Sequence, residues 1–310
     1  MRDYATPAAF RAAVEARLRD RARRLGVPAY IVRRQAALER LIVRLGRVAP
    51  DRWAVKGGMA LETRLGERAR VSVDLDADHI QGGEAARADL QRAAVDDVDD
   101  HFAFALVNSE ALQEAGVRLA VRYGLESSLA GRPFEPVQVD VTIAPPESWD
   151  AQPARRPGLL IDLGLDPIDL MLVPLERQVA EKLHAYTRTY KGGGATRVRD
   201  LVDLQLIREH EHVDPAALRG AIRHVFDRRA THPVPERLPP PPRALGVSYR
   251  REAERVGLAT SLDEAHLVLA DWLDAVLAEV HQPDNGGKSP EGARGTGRRS
   301  RVKHRVWSRT

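Results

Sequence analysis

Apolar residues recur at every second position in three short segments of the chain. These segments are Val71–Ile80, Val117–Tyr123 and Val137–Ile143. A period of two places the apolar side chains on one face of the backbone. Each segment therefore predicts a β-strand with one buried face and one polar face.

Apolar residues recur at helical spacing in most of the remaining chain. Residues 6–46 predict two helices broken near Gly26-Val27-Pro28, and the other helical segments are Gly57–Leu65, Ala85–His101, Pro174–Tyr190, Thr196–Glu209, Pro215–Phe226 and Leu262–His281. The predicted strands lie in the first half of the chain, and the second half is helical. This order is typical of an α+β protein.

Changes in composition divide the chain into four predicted regions. We expect N-terminal helices over residues 1–48, a strand-containing core over 49–150, a helical domain over 151–282 and a basic, disordered tail over 283–310. Pro233–Pro242 is rich in proline, which predicts an extended connector inside the helical domain. The tail is rich in Gly, Ser and Arg and has too few apolar residues to fold alone.

The composition excludes several classes of site. The chain of 310 residues contains no cysteine, so disulfides, thiolate zinc sites and cysteine nucleophiles are excluded. No segment approaches the roughly 20 apolar residues of a membrane helix, so we expect a cytoplasmic protein with no membrane partner. The net charge is only +4, but the tail after Gly292 carries Arg and Lys without any acid. Such a tail would attract RNA phosphates, or it merely aids solubility.

A glycine pair followed by paired aspartates is the central chemical feature. Asp74 and Asp76 lie two residues apart in a predicted strand, so both carboxylates point to the same face. Two such carboxylates suit Mg²⁺, which completes its coordination with water and triphosphate oxygens. Gly57 and Gly58 open the preceding helix, where exposed N–H groups and the helix dipole favour phosphate. Lys56 stands beside this turn.

A third carboxylate, Asp140, lies on the polar face of the strand Val137–Ile143. If this strand neighbours the first one, three aspartates would line one edge and support two metals. Each of these features also has a purely structural interpretation. Acidic residues that alternate with Val and Leu are commonly the solvated face of an edge strand, and a Gly-Gly pair is usually a turn. The combination is more specific than its parts.

Charged residues of two later helices extend this set. Glu181-Lys182 lies within one predicted helix, and Arg197, Arg199, Asp200 and Asp203 lie on the next one. A lysine from a helical domain would neutralise triphosphate charge, and an aspartate would orient it. The alternative is a surface ion pair between Arg199 and Asp203, which are four residues apart. Metalloprotease His pairs, Gly-x-Ser-x-Gly and a P-loop are absent from the sequence.

Four segments together resemble the AbiEii/AbiGii family of type IV abortive-infection toxins, which includes the mycobacterial MenT toxins. The first comprises Trp53–Leu61 and the following Arg70–Asp76, and the other three are Val139-Asp140-Val141, Glu181-Lys182-Leu183 and Thr196–Leu204. The resemblance spans residues 50–210 in the expected order. It implies a DNA-polymerase-β-like nucleotidyltransferase fold, in which a mixed sheet with flanking helices precedes a helical lobe and the site lies between the lobes.

The resemblance also implies roles for individual residues. Asp74 and Asp76, with Asp140, are expected to bind Mg²⁺ or Mn²⁺, and Lys182 and Asp200 to complete the catalytic site. The expected nucleotide-binding residues are Lys56, Gly57, Gly58, Ser72, Asp140, Arg197 and Asp203. The implied reaction transfers a nucleoside monophosphate from an NTP to RNA, most plausibly the 3′ end of tRNA, which blocks translation. A cognate antitoxin is the implied protein partner.

Two alternatives stay open at this point. The same machinery would also transfer the nucleotide to a protein hydroxyl. A catalytically inert module that binds RNA or the antitoxin would keep the fold and lose the chemistry. Ser72 is a further candidate for regulation, because its hydroxyl is expected to share the strand face of Asp74; more often such a serine bonds only to backbone or water.

Overall fold

A computed structural model describes the protein at residues 4–114, 117–143, 150–188 and 197–281. Its strands are β1 (Trp53–Lys56), β2 (Leu75–His79), β3 (Phe102–Glu114), β4 (Val117–Leu129), β5 (Arg132–Pro133), β6 (Val137–Ile143), β7 (Gln152–Arg156) and β8 (Ile168–Leu172). They form one sheet in the order β3-β4-β6-β2-β1-β8-β7, and β5 pairs with β4. The sheet is mixed, because β2 is parallel to β6 and antiparallel to β1.

Helices cover the sheet and form a second body after it. They are α1 (Pro7–Leu25), α2 (Ala29–Val48), α3 (Gly57–Leu65), α4 (Gly83–Val95), α5 (Leu175–Thr187), α6 (Arg197–His210), α7 (Pro215–Arg229), α8 (Gly246–Glu254) and α9 (Leu262–Val280). Several helices begin at side-chain caps, as expected. Thr6 accepts the N–H of Ala9, and Ser261 forms a capping box with Glu264. Within the described ranges, no helix is long and apolar enough to cross a membrane.

Two hydrophobic cores hold these elements together. The first lies between the sheet and the helices α1, α2 and α4, and the second lies among α5 to α9. Helix α3 contributes to both, because Met59 and Ala60 belong to the first core and Leu61 and Leu65 to the second. The predicted architecture, a mixed sheet with flanking helices followed by a helical lobe, is confirmed.

The central strands have one apolar and one charged face. Val55, Leu75 and Val139 lie in the first core, whereas their strand neighbours Lys56 and Asp76 lie on the other face. That other face is directed towards the helical lobe, since Lys56 lies 3.8 Å from Glu181 of α5. The alternation seen in the sequence therefore separates the packing surface from the chemical surface.

The segment before β3 differs from the prediction. The helix predicted to reach His101 ends at Val95, and a strand that the sequence analysis missed begins at Phe102. The reason is Asp100, whose buried carboxylate accepts the N–H of Phe102 and two hydrogen bonds from Arg44 at 2.7 and 2.9 Å. Arg40 adds a fourth hydrogen bond at 2.6 Å. This buried ion pair between α2 and the loop overrides the helical pattern.

Two strands precede residue 174, in the region assigned above to the helical domain. Strand β8 pairs with β1 in parallel, and β7 forms the sheet edge, where its sequence Gln-Pro-Ala-Arg-Arg shows no alternation. Helix α8 was also missed. The division at residues 48, 150 and 282 stays a prediction, although the sheet continues to Leu172. The predicted basic tail lies outside the described residues, as does the glycine run at 192–194.

Candidate active site

Four charged residues form a row across four neighbouring strands. Asp76 of β2 pairs with Lys56 of β1 and with Asp140 of β6, and Asp140 pairs with Arg122 of β4. Residues opposite each other in a sheet share a face, so their side chains converge. Asp74 lies directly before β2, because the strand begins at Leu75 and not at Val71 as predicted. Asp76 and Asp140 are therefore adjacent in the sheet, as expected.

The Gly57-Gly58 turn lies against this row. Gly57 has a φ of +63°, and a Cβ atom there would lie 3.1 Å from Asp76 Cγ and overlap its carboxylate. At Gly58 a Cβ atom would lie 2.7 Å from Ser72 Oγ. The absence of side chains thus lets the start of α3 approach the carboxylate closely. The predicted phosphate-binding turn and the predicted metal-binding aspartate are therefore neighbours.

Electrostatics around Asp76 show how closely the charges are grouped. The pKa of Asp76 is raised to about 6, mainly by burial; the charges of Asp140 and Asp74 act in the same direction, and Lys56 and Lys182 oppose them. A carboxylate destabilised by burial and by other carboxylates gains from a divalent cation, which prefers hard oxygen ligands. The chemistry of Asp74 and Asp76 thus fits a metal such as Mg²⁺.

Asp140 has a partner of its own. Arg122 donates from Nε and Nη2 to the two carboxylate oxygens at 2.8 and 2.7 Å. This bidentate bond holds the pKa of Arg122 well above its usual value. Within the residues that the structure covers, no group of three His, Asp or Glu side chains is arranged to hold a metal ion. A metal-binding role of Asp140 stays a prediction.

A cluster of two cations and two carboxylates lies next to the glycine turn. Lys182 of α5 donates to Asp203 at 2.6 Å and to Asp200 at 3.4 Å. Arg70 donates to both oxygens of Asp203 at 3.0 and 3.1 Å, and its Nη2 lies within reach of Gly58. Burial alone would lower the pKa of Lys182, but Asp203 and Asp200 raise it above its usual value. Lys182 thus stays charged.

The alternative interpretation of the Arg/Asp helix is wrong. Asp203 is buried and binds Arg70 and Lys182, whereas Arg199 is exposed. A surface ion pair between Arg199 and Asp203 is not what this helix provides. Arg197 begins α6, and its side chain lies outside the described ones, so its predicted nucleotide contact stays a prediction.

Ser72 does not share a strand face with Asp74. Its N–H donates to Glu62 at 2.6 Å, and its hydroxyl donates to the backbone carbonyl of Asp74 at 3.1 Å. The chain is held at this point by Glu62 of α3, which explains why β2 starts three residues later. Ser72 therefore fixes the backbone before the aspartate pair.

A second charged network lies beyond Asp76 and was missed by the sequence analysis. Lys56 donates to Asp78 at 2.7 Å and to Thr142 at 3.0 Å. Arg177 of α5 forms an ion pair with the same Asp78, and Glu181 lies 3.8 Å from Lys56. Burial lowers the pKa of Lys56, and Glu181 opposes this effect. The signal in the sequence was the continued alternation of Asp74, Asp76 and Asp78.

This chain matches a known protein family and several solved structures. The family model described as "Nucleotidyl transferase AbiEii toxin, Type IV TA system" matches residues 40–279. Seven chains of solved structures match. One is the MenT4 nucleotidyltransferase toxin of Mycobacterium tuberculosis H37Rv, with 19% identity, a TM-score of 0.48, and coverage of 82% of this chain and 94% of MenT4. No curated protein matches.

Proposed function

Since this chain belongs to the AbiEii family of nucleotidyl transferase toxins of type IV toxin–antitoxin systems, we propose that it transfers a nucleoside monophosphate from an NTP to a hydroxyl of RNA. The proposed acceptor is the 3′ end of a tRNA, and the proposed consequence is a block of translation. A cognate antitoxin is the expected protein partner, and the cytoplasm the expected compartment.

The observation that carries the proposal is the contact between the glycine turn and the aspartate row. Asp76 lies against Gly57, between Asp74, Asp140 and the two lysines that act on its pKa. Phosphoryl transfer depends mainly on positioning and on electrostatic stabilisation of the phosphates. This arrangement brings carboxylates, cations and free backbone N–H groups of a helix start to one point.

The residues next to Gly58 suit the triphosphate. The first N–H groups of α3 have no partners within the helix and are available to phosphate oxygens. Lys182 and Arg70 are both held by Asp203, so their charges are already positioned before a ligand arrives. In the reaction, the acceptor oxygen bonds to the α-phosphorus, pyrophosphate leaves, and a carboxylate of the site takes the hydroxyl proton.

A divalent metal completes this proposal. Asp74 and Asp76 would hold Mg²⁺, with Mn²⁺ as a substitute, and the metal would neutralise charge on the transferred phosphate. Lys56 has a different task. It bonds to Asp78 and Thr142 behind the row, so it orients the strand ends and lowers the pKa of Asp76. Asp200 bonds only to Lys182 among its described contacts and thereby orients that lysine.

The test is a labelling experiment with the full chain. The protein is incubated with Mg²⁺, total tRNA, cell protein and each NTP in turn, labelled at the α-phosphate. Asp76→Asn is the variant expected to be inactive, and Asp166→Asn is the matched control, because Asp166 is exposed and lines a pocket with Val55 and Leu75 on the apolar face of the sheet. RNA and protein are then separated.

Label on tRNA that Asp76→Asn abolishes and Asp166→Asn retains is the expected result, and it also names the nucleotide. Label on protein instead of RNA would replace the acceptor by a protein hydroxyl. Label on neither, with the antitoxin absent and the metal present, would overturn the catalytic proposal in favour of an inert RNA-binding or antitoxin-binding module.

A further inference from the structure

A cationic cavity lies between the sheet and the helical lobe, apart from the glycine turn. It has a volume of about 260 Å³. Asp78 and Thr142 form its wall on the sheet, and Arg177, Arg188, Arg228 and Arg229 line it from the helical lobe. We refer to it as the arginine cavity. The proposed transfer chemistry does not use these arginines of the helical lobe.

The arginine cavity carries an excess of positive charge. Its acidic lining residues within the described chain are Asp78, which pairs with Lys56 and Arg177, and Glu181, which lies 3.8 Å from Arg229. The positive charges also act on His184. Burial is the main cause that lowers the pKa of His184 to about 3, and the charges of Arg229, His232 and Arg188 act in the same direction. A site lined by an excess of positive charge attracts anions.

The sheet register shows where the cavity lies relative to the reacting centre. The glycine turn contacts Ser72 and Asp76, whereas the cavity begins at Asp78 and Thr142, which pair one row further along β2 and β6. Asp76 therefore lies between the turn and the cavity. In-line phosphoryl transfer brings the attacking oxygen and the leaving pyrophosphate to opposite sides of the phosphorus. If the turn holds the triphosphate, the cavity lies on the acceptor's side.

The size of the cavity narrows the choice of ligand. Pockets that enclose whole small-molecule ligands are typically about 300–1,000 Å³. The arginine cavity is smaller, and one of its lining residues, Arg228, is exposed and donates to the backbone carbonyl of Ile143. A single phosphate of a polynucleotide chain that runs across the cavity opening matches these dimensions better than a fully enclosed nucleotide. Arginine is also the side chain best suited to bidentate phosphate contacts.

We propose that the arginine cavity binds a backbone phosphate of the acceptor RNA close to its reacting end, through Arg228 and Arg229. This assignment rests on the proposed function and adds the place at which the acceptor is held. The same phosphate chemistry would be offered by the triphosphate of the NTP, so the experiment separates the two sources.

The test compares two double variants of the full chain. Arg228→Ala with Arg229→Ala removes two charges from the cavity. Arg250→Ala with Arg251→Ala removes two charges from exposed positions of α8 in the same lobe and is the matched control. Binding of a fluorescent single-stranded RNA and of a non-hydrolysable NTP analogue is measured separately, between about 50 and 200 mM salt. Arg228→Gln with Arg229→Gln repeats the test if the alanine variant does not fold.

We expect the cavity variant to bind RNA on the order of tenfold more weakly than the control variant, with unchanged affinity for the NTP analogue. The slope of log affinity against log salt should fall by about 0.7, because the two arginines hold one phosphate and each phosphate contact to a single strand contributes about 0.7. A loss of NTP affinity without a loss of RNA affinity would overturn the proposal, since the cavity would then hold the triphosphate. Equal RNA binding by both variants would also overturn it. RNA binding is measured without NTP, so this result is independent of whether transfer occurs.

Discussion

The contact between Gly57 and Asp76 makes a sharp prediction for Gly57→Ala. With a φ of +63°, an alanine at this position pays about 1–2 kcal/mol for the left-handed backbone. Its Cβ atom would also overlap the Asp76 carboxylate, so the side chain must rotate away, at a further cost of about 1 kcal/mol. We expect a modest loss of stability together with a displaced Asp76 carboxylate.

Gly26→Ala provides the matched control. Gly26 has a φ of +62°, and no atom lies within 4 Å of the added Cβ position. Both variants place an alanine at nearly the same positive φ, but only Gly57→Ala moves a carboxylate of the site. A displacement of about 1 Å in an active site can lower the rate about 100-fold. We therefore expect a roughly 100-fold loss of nucleotide transfer in Gly57→Ala and almost none in Gly26→Ala.

The assay measures unfolding by urea and pyrophosphate release for both variants, with Mn²⁺ binding as a second readout. Stabilities that differ by about 1 kcal/mol, with activity and metal affinity lost only in Gly57→Ala, would support the reasoning. If Gly57→Ala retained activity and Mn²⁺ affinity within a few fold of Gly26→Ala, the close approach of turn and carboxylate would have no catalytic importance.

Three further predictions concern buried charges. Asp203→Asn should lower the free energy of unfolding by about 3–5 kcal/mol, because Arg70 and Lys182 lose their buried partner. Asp200→Asn should lower it by no more than about 1 kcal/mol and should mainly reduce nucleotide transfer. Equal losses of the two variants in urea unfolding would contradict this prediction. Asp100→Ala should cost a similar 3–5 kcal/mol in the same measurement, because it leaves fully buried Arg44 uncompensated, and a loss near zero would refute the role given to this pair. Burial raises the pKa of Glu62 from 4.5 to about 7, so its proton is bound more tightly in the folded state, and its contribution declines as pH rises through this window. Relative to Glu62→Gln, the wild type should lose up to about 3 kcal/mol between pH 4.5 and 7; parallel stability profiles would show that Glu62 does not titrate in this range.

Local patterns in the sequence predicted much of the site. The alternation of Val137–Ile143 predicted β6 with its ends, and the segment Gly57–Leu65 predicted α3 with its ends. The prediction that Asp76 and Asp140 lie close together followed from the expectation that their strands pair. These features depend on short-range periodicity and on steric freedom of glycine, which a single sequence displays directly.

Other parts of the site depend on contacts between distant segments. Arg70 and Asp203 are 133 residues apart, and Arg177 meets Asp78 from a different lobe, so neither pair has a recognisable spacing. Strand β7 is specified by its partner β8 at the edge of the sheet and not by its own alternation. The partner of Asp140 was missed because the pairing of β4 with β6 decides it.

Helix α3 has a consequence for how the protein acquires activity. Its first turn contacts Asp76, while Met59 packs in the sheet core and Leu61 packs in the helical core. A chain in which only one core has condensed cannot hold this helix in place, so the turn and the carboxylate meet only after both cores have formed. A polypeptide that contained the sheet without the helical lobe would therefore be inactive. The proposed catalytic geometry thus arises late, as a product of the completed fold.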